Sequence, residues 1–231
     1  TSRDVRLLSL LYDHGLMDFG QVEKFVFKNK SSSTILNRVG KLEKSGFLKR
    51  IRVARLSHPN GGRNVGVVMQ ITPKGTKEVA KVAPQKCIQD TIPDIHLSQL
   101  EHDLLLVDVI ERMKLEHPDA VFMDGKRFVK GKSDIHRVPD SVMECARSGK
   151  KTAIELELTV KSEKRYRQIV LGYRLMSYFE KVLFITASRS IANKIKSEIT
   201  GFKGQSNESL DTGKFEFKLL HDSLNEKPIA A

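Results

Sequence analysis

Cysteine is scarce: Cys87 and Cys145 are the only two among 231 residues. Two thiols so far apart exclude a disulfide scaffold and a thiolate metal site, so a reducing compartment is expected. No apolar run approaches the ~20 residues that a membrane span requires. The N-terminus also lacks the tripartite pattern of a signal peptide. A cytoplasmic protein without membrane insertion is therefore expected. No internal repeat is visible. The length suits two small domains, each with its own core, and a hydrophobic content of 39% is that of an ordinary globular chain.

Negative charge is also sparse, but only in one part of the chain. Residues 1–83 hold 16 Lys and Arg against 6 Asp and Glu, a net of +10, whereas residues 84–231 hold 24 against 22. A solvated lysine-rich surface would spread the excess more evenly. A basic module beside a near-neutral one points to a polyanion held by the first and a different task for the second.

Within the basic module, Asp4 is placed to cap a helix with a leucine stripe that ends at His14-Gly15. Asp18 is placed to start a second helix. The serines at 31–33 offer caps for a third, through Ile35, Leu36, Val39 and Leu42, which Gly46 stops. After Gly46 the period becomes alternating. Segments 47–56 and 65–71 flank His58-Pro-Asn-Gly-Gly-Arg-Asn64 and read as a hairpin with Arg63 at its tip. Thr72 and Pro73 then open a further helix. Three helices, a basic glycine-tipped hairpin and the phrases SGFLKR and ITPKG resemble the winged helix-turn-helix family over residues 3–83. That resemblance implies DNA contacts from Ser33, Thr34, Asn37, Arg38 and Lys41 on the third helix, and from Arg52, Arg55 and Arg63 on or beside the wing. A protein-docking role is the competing use of such a module, and a net +10 argues against it.

Residues 84–97 carry two prolines and little periodicity and read as a linker. A helix follows from Ser98, with Glu101 in capping-box spacing. Short strands fit 120–123, 142–145 and 152–159. Then come a long helix over 162–179, a strand over 182–186, a helix over 190–199 and a strand over 215–220. This order describes an α+β or α/β domain over 98–231, with a mixed sheet flanked by helices.

One stretch stands out in that domain. Ala153 to Thr159 alternates, with Ile154, Leu156 and Leu158 on one face and Glu155 and Glu157 on the other. Two carboxylates on so apolar a strand repel, and burying them is costly without a cation. Pro139-Asp140 lies one hairpin upstream and Lys161 just downstream. A helix, a strand ending in Pro-Asp, a hairpin and an acidic strand resemble the PD-(D/E)xK nuclease fold, with Asp140 at the first acid and Glu155 at the second. Glu157 stands where that pattern has lysine, and Lys161 is the displaced candidate.

The spacing E-x-E-x-x-x-K, behind a winged helix, is similar to that of MobC-type plasmid mobilisation relaxases (the MOB-C class) and of the related replication-relaxation proteins. The resemblance implies a metal-dependent DNA nicking endonuclease acting at a plasmid transfer origin in conjugation, with a coupling protein of a secretion system as a further partner. Asp140, Glu155 and Glu157 would hold Mg²⁺ or Mn²⁺. Lys161 and His102 would join them at the site. No His-apolar-His pair occurs, which argues against the relaxases that bind metal through clustered histidines. Water is the expected nucleophile, because Tyr173 shares a core-like spacing with Ile169, Val170 and Met176; a covalent tyrosine, from Tyr166, Tyr173 or Tyr178, is the lesser alternative. The alternative is a non-catalytic DNA-binding regulator or replication accessory protein that uses the nuclease-like domain as a scaffold.

Overall fold

The computed structural model describes residues 1–53, 66–84, 95–201 and 212–225. The chain divides into two compact units, 1–108 and 109–231. The first opens with α1 (Ser2–His14), whose leucines at 7, 8, 10 and 11 are buried. Its cap is Thr1 rather than Asp4: the Thr1 hydroxyl accepts the Asp4 N–H, and Asp4 closes the capping box in return. Asp4 is thereby free to serve a second partner, the guanidinium of Arg38, which donates to both of its oxygens.

A three-residue strand, β1 (Leu16–Asp18), separates α1 from α2 (Phe19–Phe25). Asp18 caps α2 as its position suggests, accepting the Gln21 N–H at 2.8 Å. α3 (Ser32–Lys44) starts behind Ser31 and gives way to Ser45 and Gly46, the latter at a φ of 74°. β2 (Leu48–Arg52) and β3 (Val67–Ile71) pair antiparallel, and β1 adds on the other edge of β3. The strands of the expected hairpin are thus present, while its tip, with Arg55 and Arg63, lies outside the described residues. α4 (Pro73–Val82) follows its Thr72 cap with proline at the first position. Ile35, Val39 and Leu42 of α3 join Leu7, Leu11, Leu48 and Met69 in one core.

The expected linker is outside the described residues over 85–94. After a short 3₁₀ turn, α5 (Leu100–Glu116) begins two residues later than Ser98 suggested. The division between the units falls within this helix. Its first half belongs to the first unit, where Leu100 and Leu104 lie with Leu16 and Val68. The Gln21 amide donates to the Leu104 carbonyl at 2.7 Å and to Asp108 at 3.1 Å.

The second unit continues with β4 (Ala120–Asp124), α6 (Gly125–Val129), β5 (Ser141–Cys145), β6 (Lys151–Glu157) and α7 (Glu163–Arg174). It closes with β7 (Lys181–Thr186), α8 (Arg189–Gly201), β8 (Phe215–Leu219) and α9 (Leu220–Asn225). The five strands form one mixed sheet in sequence order: β4, β5 and β6 are antiparallel, and β6, β7 and β8 parallel. Parallel neighbours need a crossover, which α7 and α8 supply. The architecture is mixed α and β, a five-stranded mixed sheet flanked by helices. β6 is its central strand, so every residue from 153 to 157 is buried. Tyr166, Ile169, Val170 and Tyr173 of α7 pack with Ala153, Val182 and Phe184 of the sheet and Ile191 and Ile195 of α8. α7 stops at Arg174, short of the 179 its pattern suggested. The carbonyls left open there are met from forty residues on: the Lys214 ammonium donates to those of Tyr173 and Met176, both at 2.8 Å.

The Arg38 bond holds the Asp4 carboxyl well below its ordinary 3.8. A depressed folded value means that the stabilisation is present above pH ~4 and fades as pH falls through the folded value. Asp4→Asn is therefore expected to lower stability by about 1–2 kcal/mol at neutral pH, since Arg38 is partly exposed and screened. Urea unfolding of both proteins from pH 7 to pH 2 checks this: the difference should shrink below pH ~4.

Candidate functional site

Alternation along β6 puts Ala153, Glu155 and Glu157 on the face that α7 covers, and both glutamates are only 1% exposed. Each has its own cation. The Arg137 guanidinium donates from Nε to Glu155 Oε1 at 2.9 Å and from Nη2 to Oε2 at 2.7 Å. The Tyr173 hydroxyl also donates to Oε1. Burial pushes the Glu155 carboxyl up and the nearby Asp140 charge adds to it; Arg137 and Tyr173 pull it down, and it rests at about 7 against an ordinary 4.5. Burial, then Glu155, pushes the Tyr173 phenol well above its usual range.

Arg137 reaches Glu155 because α7 has a glycine where the loop passes. A Cβ on Gly172 would stand 3.1 Å from the Arg137 Cβ and 3.2 Å from the His136 carbonyl oxygen. The residue after that glycine is Tyr173, so one close approach delivers both partners of Glu155. Sequence inspection passes over Arg137, which sits in a loop without periodicity. The signal available was chemical: a buried glutamate asks for a cation, and Arg137 stands three residues before Asp140.

The second pair joins Glu157 to Lys161. The Lys161 ammonium donates to Glu157 Oε1 at 2.7 Å. It lies equally near Oε2, yet without the alignment of a hydrogen bond, and among the described residues that buried oxygen accepts none. The turn that carries Lys161 is fixed by Tyr166, whose hydroxyl accepts the Lys161 N–H at 3.0 Å and donates to the Thr159 carbonyl at 3.3 Å.

Asp140 is set at the head of β5. Its N–H donates to the Ile154 carbonyl at 3.1 Å, and its Oδ2 accepts the Leu156 N–H at 2.8 Å. A Cβ on Gly125 would fall 1.7 Å from the Pro139 carbonyl oxygen, so the glycine is what lets α6 close on the Pro-Asp step. The charge of Asp140 is felt by both Glu155 and Arg137.

Asp140, Glu155, Glu157 and Lys161 therefore gather along the second half of β6. His102 belongs to the first unit, where its Nδ1 lies 3.3 Å from Asp103. With Arg137 counted, three carboxylates face two cations, a net −1 to which one divalent ion would add. Glu155 has both oxygens engaged by Arg137 and Tyr173, whereas the two oxygens of Glu157 share the single Lys161 ammonium at 2.7 Å, and Thr186 on the next strand has a buried hydroxyl that finds no partner among the described residues. With one shared cation and a spare hydroxyl on the neighbouring strand, Glu157 suits a hard cation better than Glu155 does. No three His, Cys, Asp or Glu side chains among the described residues form a ready-made cage.

In the first unit, Ser33, Thr34, Asn37 and Lys41 are exposed on α3, and Arg52 is exposed at the end of β2. Thr34, Asn37, Arg38 and Lys41 line a hollow of about 320 Å³ against Arg3 and Phe27. Arg38 is the exception, its fork already committed to Asp4. Comparison of the chain with family profiles, with characterised proteins and with solved structures gives no match in any of the three.

Replacing Arg137 by Met strands a buried carboxylate. A loss of roughly 3–5 kcal/mol is expected in urea unfolding. Arg137→Met combined with Glu155→Gln should recover part of it, and the double-mutant cycle measures the coupling. Additive losses would show that the pair is not the clamp described.

Proposed function

We propose that this chain binds duplex DNA through its first unit and nicks one strand through its second, by metal-assisted phosphodiester cleavage in the manner of a relaxase. What carries this reading is the Lys161–Glu157 contact: the lysine displaced by four residues nonetheless brings its amine to the acidic face of β6. The order α1, β1, α2, α3, β2, β3 resembles that of a winged helix, and the sheet with Asp140 at the head of β5 and two acids on β6 resembles a restriction-endonuclease-like core. Both likenesses support the reading.

Mg²⁺ or Mn²⁺, held by Glu157 and Asp140, would lower the pKa of a bound water and neutralise charge on the scissile phosphate. Glu155 serves that site through charge and position, since Arg137 and Tyr173 take its oxygens. Lys161, partly exposed, supplies a cation for the charge that develops on phosphorus. On this reading the duplex is a plasmid transfer origin, and a coupling protein of a secretion system receives the nicked strand. Thr34, Asn37 and Lys41 face the groove, with Ser33 and Arg52 at its margin. His102 has no part in the cleavage proposed.

One observation favours a second reading. An arginine already neutralises Glu155, as a scaffold without chemistry would require, so a non-catalytic DNA-binding regulator or replication accessory protein is the competing role.

Relaxation of supercoiled plasmid in Mg²⁺ or Mn²⁺ separates the two. Glu157→Gln and Asp140→Asn should each slow nicking by roughly 100-fold or more, with DNA binding retained. Glu155→Ala is a poorer choice because it takes from the half-buried Arg137 the carboxylate that its fork holds. A wild-type chain that binds DNA without nicking it would establish the regulator instead. Lys41→Ala should weaken binding uniformly across sequences and reduce the salt slope by about one, measured by fluorescence anisotropy at several salt concentrations.

A further inference from the structure

We infer that Thr186 supplies a further oxygen to the cation site at Glu157, an inference that rests on the metal-assisted reading. Thr186 is the last residue of β7 and is fully buried. In the parallel register it stands opposite Glu157, so the two side chains leave the same face of the sheet on neighbouring strands. Its Oγ1 is buried and finds no hydrogen-bond partner among the described residues, and Glu157 Oε2 is buried with only the Lys161 ammonium, 2.7 Å away, set against it.

Packing alone does not account for a hydroxyl there. The residues before it on the strand, Val182, Phe184 and Ile185, are apolar and fully buried. Valine has the shape and the strand preference of threonine and would fill the position without a desolvated hydroxyl. Helix capping does not account for it either. At this end of the sheet, Ser162 accepts the N–H of Arg165 to start α7, and Ser188 accepts that of Ile191 at the head of α8. Those two hydroxyls are spent, whereas that of Thr186 is not.

The place is also shared by both strands: β6 and β7 are parallel neighbours and both end here, so Glu157 and Thr186 stand together at the carboxyl edge of the parallel half of the sheet. A neutral hydroxyl beside a carboxylate oxygen is a hard donor pair of the kind that accepts Mg²⁺ or Mn²⁺. Glu157 brings the charge and Thr186 an oxygen fixed by the strand, without a further negative charge to bury.

The test is a Mn²⁺ titration of the full chain without DNA, reading free Mn²⁺ by electron paramagnetic resonance and the thermal midpoint by circular dichroism. Thr186→Val should leave the midpoint in chelator no lower than wild type while weakening Mn²⁺ binding about tenfold. Thr186→Ser should restore binding, and Glu157→Gln should abolish it. Thr186→Ala provides a second hydroxyl-free protein should the valine variant not fold. If the hydroxyl-free variants bind Mn²⁺ as wild type does while Glu157→Gln does not, the role of Thr186 is refuted and the metal site stands. If wild type binds no Mn²⁺, or Glu157→Gln binds it unchanged, the metal-assisted reading fails and this inference with it.

Discussion

A central strand cannot bury two carboxylates on one face without two cations, and the second unit is shaped by that requirement. β6 has neighbours on both edges and α7 above it, so neither Glu155 nor Glu157 reaches bulk water. Desolvation raises the cost of burying both charges, and the nearby Asp140 adds repulsion at Glu155. Arg137 and Lys161 meet the two demands from opposite directions, one from a loop before β5 and one from the turn after β6. Much local detail follows from getting them there. Gly172 lets the Arg137 loop lie on α7, Tyr166 fixes the turn before α7, and Gly125 allows the Pro139-Asp140 step to meet α6. The two glutamates are not equivalent, however. Glu155 is engaged by two donors, whereas the two oxygens of Glu157 share one ammonium and face a strand whose Thr186 hydroxyl has no partner among the described residues.

In the first unit a single acid has a comparable role. Asp4 closes the capping box of α1 and receives the fork of Arg38, tying the start of α1 to the middle of α3. That bond removes one cation from the exposed side of α3 and leaves Lys41, Asn37 and Thr34 along the hollow beside it. The net +10 of residues 1–83 already counts Asp4 against Arg38, so the pair changes where the charge lies and not its sum, and Arg3 on the other wall of the hollow adds a cation there.

Local rules carried the helix starts. Asp18, Ser31 and Thr72 each cap the helix their positions suggested, because the capping residue and the N–H it accepts lie within one turn. Alternation alone marked β6 and the shared face of its two glutamates. Features made by distant residues were not legible. α7 ends where Lys214 satisfies its carbonyls, and no pattern within the helix records that. β1 is three residues long and exists through its pairing with β3. Arg137 lies in an aperiodic loop, and its role appears only once β6 is known to be buried. Thr186 reads as an ordinary strand residue until its register against Glu157 is known.

The central claim is that the acidic face of β6 takes a hard cation at Glu157 while Arg137 keeps Glu155. Crystals grown with Mn²⁺ and measured at the manganese edge test this most directly. The expected result is one anomalous peak at about 2.0–2.2 Å from Glu157, the distance of a small hard cation from a carboxylate oxygen, with the Arg137–Glu155 pair intact. A map without a peak at Glu157, with Lys161 and Arg137 holding both carboxylates as in the protein alone, would contradict it.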